Sequence, residues 1–255
     1  MSREEFDIAV RSHRLHAQRF GSPTAPLIVG LHGLSLNMKS FDFLGERLRG
    51  DALQLVALDL RGRGHSERTP PGTYGWENHA LDVFAVADAL GFERFSLVGQ
   101  SMGGSVGAVI GSVISGLDKT YDSVEQYLDV VKDQGLAEPW NEYWDRCYRY
   151  GLEARDGRVR ARVHPDAVAE DRAYGLTQNP YDRWKHLTMP TLLLRATQEI
   201  RPGAGHVVPA DDREPFLRDV PRGSIVEVDA NHLTINTQPR AAIAIGEFLA
   251  DVLGR

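Results

Sequence analysis

The sequence has one cysteine, Cys147, in 255 residues, and it has no long apolar run. A single cysteine excludes an intramolecular disulfide framework and a multi-cysteine zinc site. No stretch approaches the roughly 18–20 apolar residues that cross a bilayer, and the polar start of the chain lacks the apolar core of a signal peptide. The expectation is a soluble, cytoplasmic protein with no membrane partner.

An excess of positive charge is also missing. The formal net charge is −6 at pH 7, so electrostatic binding to nucleic acid over a broad surface is not expected. Hydrophobic residues make up 42% of the chain and charged residues 25%, which is ordinary usage for a globular protein. The composition therefore predicts a folded chain with a core of useful size.

Phenylalanine is absent from one long stretch, residues 118–187, although the chain has nine Phe in all. Seven of the eight Tyr lie between Tyr121 and Tyr181, and three of the four Trp lie between Trp140 and Trp184. This region is built differently from the rest of the chain.

Outside that region, short apolar runs alternate with segments of helical periodicity. This alternation predicts an α/β fold, with an open, mostly parallel sheet flanked by helices on both faces. The predicted strands are 27–31, 53–60, 95–98, 191–196 and 224–229, and the predicted helices are 37–49, 76–90 and 239–253. Residues 6–20 suggest an opening hairpin, and the Tyr- and Trp-rich region is predicted to be mostly helical.

The segment Gly99-Gln100-Ser101-Met102-Gly103 directly follows a predicted strand. A serine between glycines in a strand-turn-helix context is typical of a nucleophile, because the small residues let the backbone turn sharply and expose the hydroxyl. The alternative is a glycine-rich turn with an incidental serine. In the nucleophile interpretation, the amide of Met102 faces the developing negative charge.

His32-Gly33-Leu34 follows the first buried strand. Glycine lets this loop fold over the nucleophile, which makes the Leu34 amide the second oxyanion donor. We place His32 and Gly33 at the substrate site, with His32 more suited to holding the loop than to acting as a base.

His232 lies just beyond the last predicted strand, far along the chain from the serine, and this is the order expected of a catalytic base. A neutral imidazole accepts the serine proton at neutral pH. The alternative is a surface loop histidine, and His206 is the nearest rival for the base.

The third member of a triad is an acid that orients the histidine. Glu199 is the first carboxylate after the strand 191–196, and a glutamate replaces aspartate if the loop allows for one extra methylene. Asp211 and Asp212, in the same connection, and Asp118, in the connection that follows the serine helix, remain open as alternatives.

Taken in order, these segments resemble the α/β-hydrolase family over nearly the whole chain. Its landmarks here are His32-Gly33, the loop 59–66, Gly99–Gly104, Pro190–Glu199 and Asn231-His232. The resemblance implies an acyl-transfer hydrolase that needs no metal or organic cofactor, and it gives Asp59 a scaffold role rather than a catalytic one. Two features depart from the family pattern: glutamate stands where many members carry aspartate, and residues 106–117 are short for a helix followed by a strand.

The resemblance also places residues 118–187 where the family inserts a helical cap, with the core formed by residues 1–117 and 188–255. Tyr and Trp combine an apolar body with a polar tip, so they suit a pocket for an apolar or aromatic small molecule. Most of them are expected to pack the cap onto the core, and the candidates for the pocket are Trp140, Tyr143, Trp144, Tyr148 and Trp184.

The expected function is hydrolysis of a carboxylic ester, thioester or lactone through an acyl-enzyme, with Ser101, His232 and Glu199 as the triad. The alternatives are cleavage of a carbon–carbon bond in β-diketone-like compounds, cofactor-free perhydrolase or haloperoxidase activity, and a ligand-binding module that retains only the fold. The sequence does not identify the substrate or the oligomeric state.

Overall fold

The computed structural model describes residues 3–48, 52–101, 120–155 and 157–254. Its largest sheet has five strands in the order β1-β2-β4-β3-β5. Strand β3 pairs in parallel with β4 and β5, whereas the β1–β2 hairpin joins the edge of the sheet in antiparallel fashion. The strands are β1 (Arg3–Val10), β2 (His13–Gly21), β3 (Leu27–Leu31), β4 (Gln54–Leu58) and β5 (Ser96–Gly99). The predicted opening hairpin and the parallel centre of the sheet are confirmed.

One face of this sheet packs against helix α2 (Trp76–Ala89). Leu27 of β3 and Val56 of β4 belong to the same buried cluster as Val83 and Val86 of α2. Gly91 follows the end of this helix and has a positive φ of 80°, which glycine adopts readily at a helix C-terminus.

Helices α1 (Asp42–Leu48) and α7 (Pro239–Val252) cover the opposite face. The cluster there contains Ile28 of β3 and Leu55 of β4, the residues next along each strand, together with Leu44 of α1 and Leu249 of α7. Successive side chains of a strand point to opposite faces, so both faces of β3 and β4 are buried, as their continuous apolar runs predicted.

The last two strands, β9 (Thr191–Ala196) and β10 (Gly223–Val228), form a parallel pair, and α6 (Arg213–Asp219) lies between them in the chain. Ala241 of α7 packs against this pair, so α7 contacts both sheets. Residues 106–117, whose shortness departs from the family pattern, lie outside the described residues.

The Tyr- and Trp-rich region, described over residues 120–155 and 157–186 and called here the inserted segment, holds three α-helices, a 3-10 helix (Pro180–His186) and a small antiparallel sheet of order β6-β8-β7. Its helices are α3 (Val124–Asp133), α4 (Glu142–Tyr150) and α5 (Pro165–Thr177), and its strands are β6 (Thr120–Tyr121), β7 (Leu152–Arg155) and β8 (Arg158–Ala161). The small sheet was not predicted from the sequence. Its strands are two to four residues long, and β7 and β8 contain arginines, so they lack the apolar runs that mark a buried strand.

Helix α4 anchors the inserted segment to the core. Tyr150 donates a hydrogen bond to Asp59 at 2.5 Å, at the carboxyl end of β4. Arg146 pairs with Asp42 at 2.7 Å and with Glu46 at 2.9 Å. Among the described residues, no helix is long and apolar enough to cross a membrane.

Candidate active site

Ser101 lies two residues beyond the end of β5, and its backbone has a φ of 34°. A positive φ is uncommon for a residue with a side chain and marks a strained turn. The amide of the preceding Gln100 donates to Leu31 O at 3.0 Å, which holds the turn against the end of β3. The strained turn predicted from the glycine-serine pattern is therefore present, with the Ser101 residue partly exposed. Met102 lies outside the described residues.

The loop after β3 packs directly on this turn. A methyl group added to Gly33 would lie 3.4 Å from Ser101 O and 3.2 Å from Gln100 Oε1. The amide of Gly33 donates to Gln100 Oε1 at 3.3 Å. Within the described part of the chain, the neighbouring Leu34 amide donates no hydrogen bond.

His32 holds this loop from beneath. Its Nε2 accepts a hydrogen bond from Leu60 N at 3.1 Å, so its proton sits on Nδ1, which donates to Gly33 O at 2.7 Å. The ring is fully buried, and this burial lowers the pKa of His32 to about 3. His32 is therefore neutral at physiological pH. Because its ring has no exposed surface, the geometry favours a structural role over contact with a substrate.

His232 follows β10 in a tight turn built by Asn231. The Asn231 Oδ1 accepts from Leu233 N and Thr234 N at 2.9 Å each, and its Nδ2 donates to Leu136 O in the inserted segment at 3.0 Å. The His232 Nε2 is buried and has no hydrogen-bond partner among the described residues. Burial lowers the pKa of His232 to about 4, so its ring is neutral at pH 7.

Glu199 lies in the loop next to that of His232. Gln198 N donates to Ala230 O at 2.9 Å, so the backbones that follow β9 and β10 run side by side. The Glu199 side chain itself is exposed, and its Oε2 accepts from Gly203 N at 2.8 Å. The structure thus brings the two loops together, but within the described residues it shows no hydrogen bond between the Glu199 carboxylate and His232.

The rival acids and the rival base also have definite places. Asp212 accepts a hydrogen bond from the Tyr181 hydroxyl at 2.7 Å, and Asp211 is exposed in the same short 3-10 turn. Asp118 lies outside the described residues. His206 is exposed and donates from Nε2 to Thr197 O at 3.0 Å, which occupies that nitrogen.

Three of the five candidate pocket aromatics gather beside the loops of the site. Trp144 is buried against Leu36, three residues beyond Gly33, and Trp140 and Tyr148 pack on the same cluster together with Leu233. The rings of Trp140 and Tyr148 are stacked, with centroids 5.5 Å apart and planes at 19°. This aromatic cluster (Trp140, Trp144 and Tyr148) therefore adjoins the neighbours of both Gly33 and His232.

The other two aromatics lie elsewhere. Tyr143 packs on Phe43 at 5.0 Å between ring centroids and donates its hydroxyl proton to Glu46 at 2.8 Å. Trp184 packs on Phe216 of α6 at 5.4 Å. These contacts join the inserted segment to the core, the role expected of most aromatics in this region.

Among the described residues, no group of three or more His, Cys, Asp or Glu side chains is arranged to hold a metal ion. Sequence reasoning did not single out Arg63, whose guanidinium donates from Nε to Leu34 O at 3.2 Å. The only signal in the sequence is its position between Gly62 and Gly64 in the loop after β4.

Comparison with known proteins gives a family match. A profile described as "Alpha/beta hydrolase family" matches residues 28–245. N-formylmaleamate deformylase of Pseudomonas putida is 35% identical over 97 residues, which are 38% of this chain and 35% of that protein. The chain spans about a third of the length of the first curated relatives that it matches.

Solved structures match over nearly the whole chain. The structure of E-2-(acetamidomethylene)succinate hydrolase superimposes with a TM-score of 0.84 and 19% identity and covers 100% of both chains. The enol-lactonase of Burkholderia xenovorans LB400 gives a TM-score of 0.70 and 18% identity, with coverage of 98% of this chain and 100% of that one. At these identities the likeness concerns the fold.

Proposed function

Because the chain belongs to the alpha/beta hydrolase family, we propose that it hydrolyses a carboxylic ester, thioester or lactone through an acyl-enzyme on Ser101. The observation that carries this proposal is the contact between two turns. Ser101 has a strained backbone with a φ of 34°, and the Gly33 loop packs on it, with no acceptor for the Leu34 amide among the described residues.

In the proposed reaction, the Ser101 hydroxyl oxygen attacks the carbonyl carbon while His232 takes the hydroxyl proton. The carbonyl oxygen becomes an oxyanion, which the amides of Leu34 and Met102 stabilise. Collapse of the tetrahedral intermediate expels the alcohol, thiol or enol, which receives the proton from His232. A water molecule then attacks the carbonyl carbon of the acyl-enzyme and gives a proton to His232. The bond between the Ser101 oxygen and the acyl carbon breaks, His232 returns the proton to that oxygen, and the acid is released.

His232 suits the role of base because of its surroundings. Burial keeps it neutral at pH 7, and its buried Nε2 has no competing partner among the described residues. We propose Glu199 as the acid that orients His232, since their loops run side by side. This role requires the Glu199 side chain to turn from Gly203 N to His232.

The aromatic cluster supports a substrate with an apolar or aromatic part. Trp140, Trp144 and Tyr148 adjoin both catalytic loops, so we propose that residues 118–187 form a cap that closes the pocket. Because the similar proteins include one named N-formylmaleamate deformylase and one named an enol-lactonase, we propose that the substrate screen include an N-formyl compound and a lactone beside simple esters. The cap arginines are less suited to an anionic group, because Arg146, Arg149 and Arg160 are already paired with carboxylates.

A second candidate function, a ligand-binding protein without turnover, is favoured by one observation. Within the described residues, His232 has no carboxylate partner, and a triad without its acid is a weak catalyst.

A fluorophosphonate probe separates the two candidates, because it reacts only with an activated serine. We expect stoichiometric labelling of Ser101, located by mass spectrometry of the labelled peptide, and loss of labelling in Ser101→Ala. Ser224→Ala, at the exposed start of β10, is the matched control and should label like the wild type. An unlabelled wild type that still binds aromatic esters would establish the binding protein instead.

A further inference from the structure

Arg63 carries a fully buried positive charge close to the candidate oxyanion loop. Its guanidinium donates to Asp171 Oδ2 at 2.6 Å, to Arg61 O at 3.0 Å and to Leu34 O at 3.2 Å. A buried guanidinium is costly unless its charge is paired and its protons find acceptors. Here one carboxylate and two carbonyls meet that need, and one of the carbonyls belongs to Leu34.

The loop that carries Arg63 lies in close contact with helix α5. Gly62 has a φ of 74°, and a methyl group added there would lie 2.9 Å from Ala167 Cβ of α5. Asp171 lies one helical turn beyond Ala167, on the same side of the helix. The close approach at Gly62 therefore delivers the Asp171 carboxylate to Arg63.

Asp171 is held as firmly as Arg63. Its Oδ1 accepts from Gly75 N at 2.6 Å, and its Oδ2 lies 3.0 Å from His79 Nε2. Burial alone would raise the pKa of Asp171, but the hydrogen bond from His79 and the charge of Arg63 outweigh it and lower this pKa to about 2. The carboxylate is thus charged at any pH at which the enzyme would work.

The peptide planes of the oxyanion loop are fixed from two sides. Gly33 O accepts from His32 Nδ1 at 2.7 Å and from Leu36 N at 3.1 Å, which sets the plane that carries the Leu34 N–H. Arg63 donates a hydrogen bond to Leu34 O and so fixes the orientation of the next peptide plane. An oxyanion donor is effective only when it is aimed before the charge develops.

We propose that Arg63 is a positioning residue that aims the Leu34 amide at the oxyanion, and that Asp171 in the inserted segment holds Arg63 in place. This inference rests on the proposed function. It makes the cap part of the catalytic geometry, because the ion pair joins helix α5 to the loop that faces Ser101.

The test compares Arg63→Lys with Glu170→Gln. Lysine keeps the charge for Asp171 but lacks the fork that reaches Leu34 O at the same time. Glu170 is the matched control, because it ties the same helix to the same region of the core through Gly72 N and Tyr74 N, at 2.9 Å each, without a hydrogen bond to Arg63. Active sites are titrated with the fluorophosphonate probe, so that misfolded enzyme does not count.

For Arg63→Lys we expect kcat per titrated site to fall about 10- to 100-fold, which is no more than the effect of removing a whole oxyanion donor. We expect KM to change less than about threefold. Affinity for a trifluoromethyl ketone, which forms a tetrahedral oxyanion adduct on serine, should fall by the same factor as kcat/KM. Glu170→Gln should lower the melting temperature and leave both quantities unchanged. If Arg63→Lys also lowers only the melting temperature, or if Glu170→Gln lowers kcat as much, the positioning role is wrong.

A second measurement does not depend on turnover. Amide hydrogen exchange in the peptide that spans residues 31–36 should be faster in Arg63→Lys than in Glu170→Gln, because Arg63 donates to Leu34 O whereas Glu170 accepts from Gly72 N and Tyr74 N. Equal exchange in the two variants overturns the inference. A wild type that neither labels nor hydrolyses any ester overturns the proposed function, and the exchange result then still decides whether Arg63 fixes the loop.

Discussion

Gly33 lies directly against the backbone of Ser101, although 67 residues separate it from the neighbouring Gln100. A Cβ at position 33 would lie 3.4 Å from Ser101 O. The loop after β3 and the turn after β5 meet because their strands are parallel neighbours in the sheet, with Leu31 opposite Gly99.

Because of this close contact, we expect the substitution Gly33→Ala to lower activity. The added methyl would lie 3.2 Å from Gln100 Oε1, so the loop must shift by a few tenths of an ångström. We expect kcat to fall about tenfold with little change in stability, because the Leu34 N–H would no longer point at the proposed oxyanion position. Gly246→Ala on α7, where the methyl would lie 3.4 Å from the Leu48 side chain of α1, is a control of similar tightness away from the site. Equal activity of both variants would show that the loop tolerates displacement.

Removal of the nucleophile should abolish turnover and spare the fold. For Ser101→Ala we expect kcat to fall roughly 10⁴- to 10⁶-fold on a p-nitrophenyl ester, with an unchanged circular dichroism spectrum. Alanine keeps the Cβ at this strained φ, so the substitution leaves the backbone strain in place, and the rate and the melting temperature are measured on the same sample. Hydrolysis at the wild-type rate would contradict the mechanism.

The pH dependence of kcat/KM should reflect the buried base. Burial lowers the pKa of His232 to about 4, so the imidazole is neutral and active above that pH and protonated and inactive below it. The acidic limb of kcat/KM is therefore expected nearer pH 4 than the ordinary 6.5 of histidine. His206→Gln should leave the limb in place, and His232→Gln should remove activity. A limb near 6.5 would mean that a carboxylate engages His232 in the free enzyme, since an adjacent negative charge raises a histidine pKa.

The acid is tested by amide substitutions. Glu199→Gln should lower kcat by about 10³- to 10⁴-fold if Glu199 orients His232 during turnover. Asp212→Asn is the local comparison, because Asp212 is engaged by the Tyr181 hydroxyl. If Asp118→Asn produces the large loss and Glu199→Gln does not, the acid is Asp118.

The aromatic cluster predicts selectivity. Trp140→Leu removes the ring that stacks on Tyr148, and an aromatic contact between this ring and the aryl group of a bound substrate would contribute about 0.5–1.5 kcal/mol to binding. KM for an aryl ester should therefore rise by up to about tenfold, while KM for an acetyl ester stays nearly constant. Trp76→Leu, which loses a ring contact with Tyr174 at 5.4 Å, serves as the control. An equal rise for both esters would mean that Trp140 supports the fold rather than the substrate.

The strands were predictable where burial dictates the sequence. Residues 27–31 and 54–58 are buried on both faces, and such strands read as continuous apolar runs. The strands β7 and β8 carry no such signal, because one of their faces is free to bear arginine. Fold topology then brings Ser101 and the Gly33 loop together, which is why the order of motifs along the chain predicts their meeting.

Side-chain pairing was harder to predict. The order of the segments places Glu199 beside the His232 loop. It does not predict that the Glu199 carboxylate accepts a hydrogen bond from Gly203 N rather than from the imidazole. Arg63 shows the same limit. Its burial depends on Asp171, which lies 108 residues away in a segment whose docking no local pattern encodes.

The attachment of the inserted segment has a consequence for protein engineering. Tyr150 donates to Asp59, and Asp171 pairs with Arg63, so helices α4 and α5 of the segment each bind a specific core side chain. A chimaera that exchanges this segment for one from another enzyme must keep a tyrosine and an aspartate at these two positions, or must also replace Asp59 and Arg63 in the core. A graft that ignores them would leave a buried arginine without its counter-charge, whatever new specificity its pocket carries.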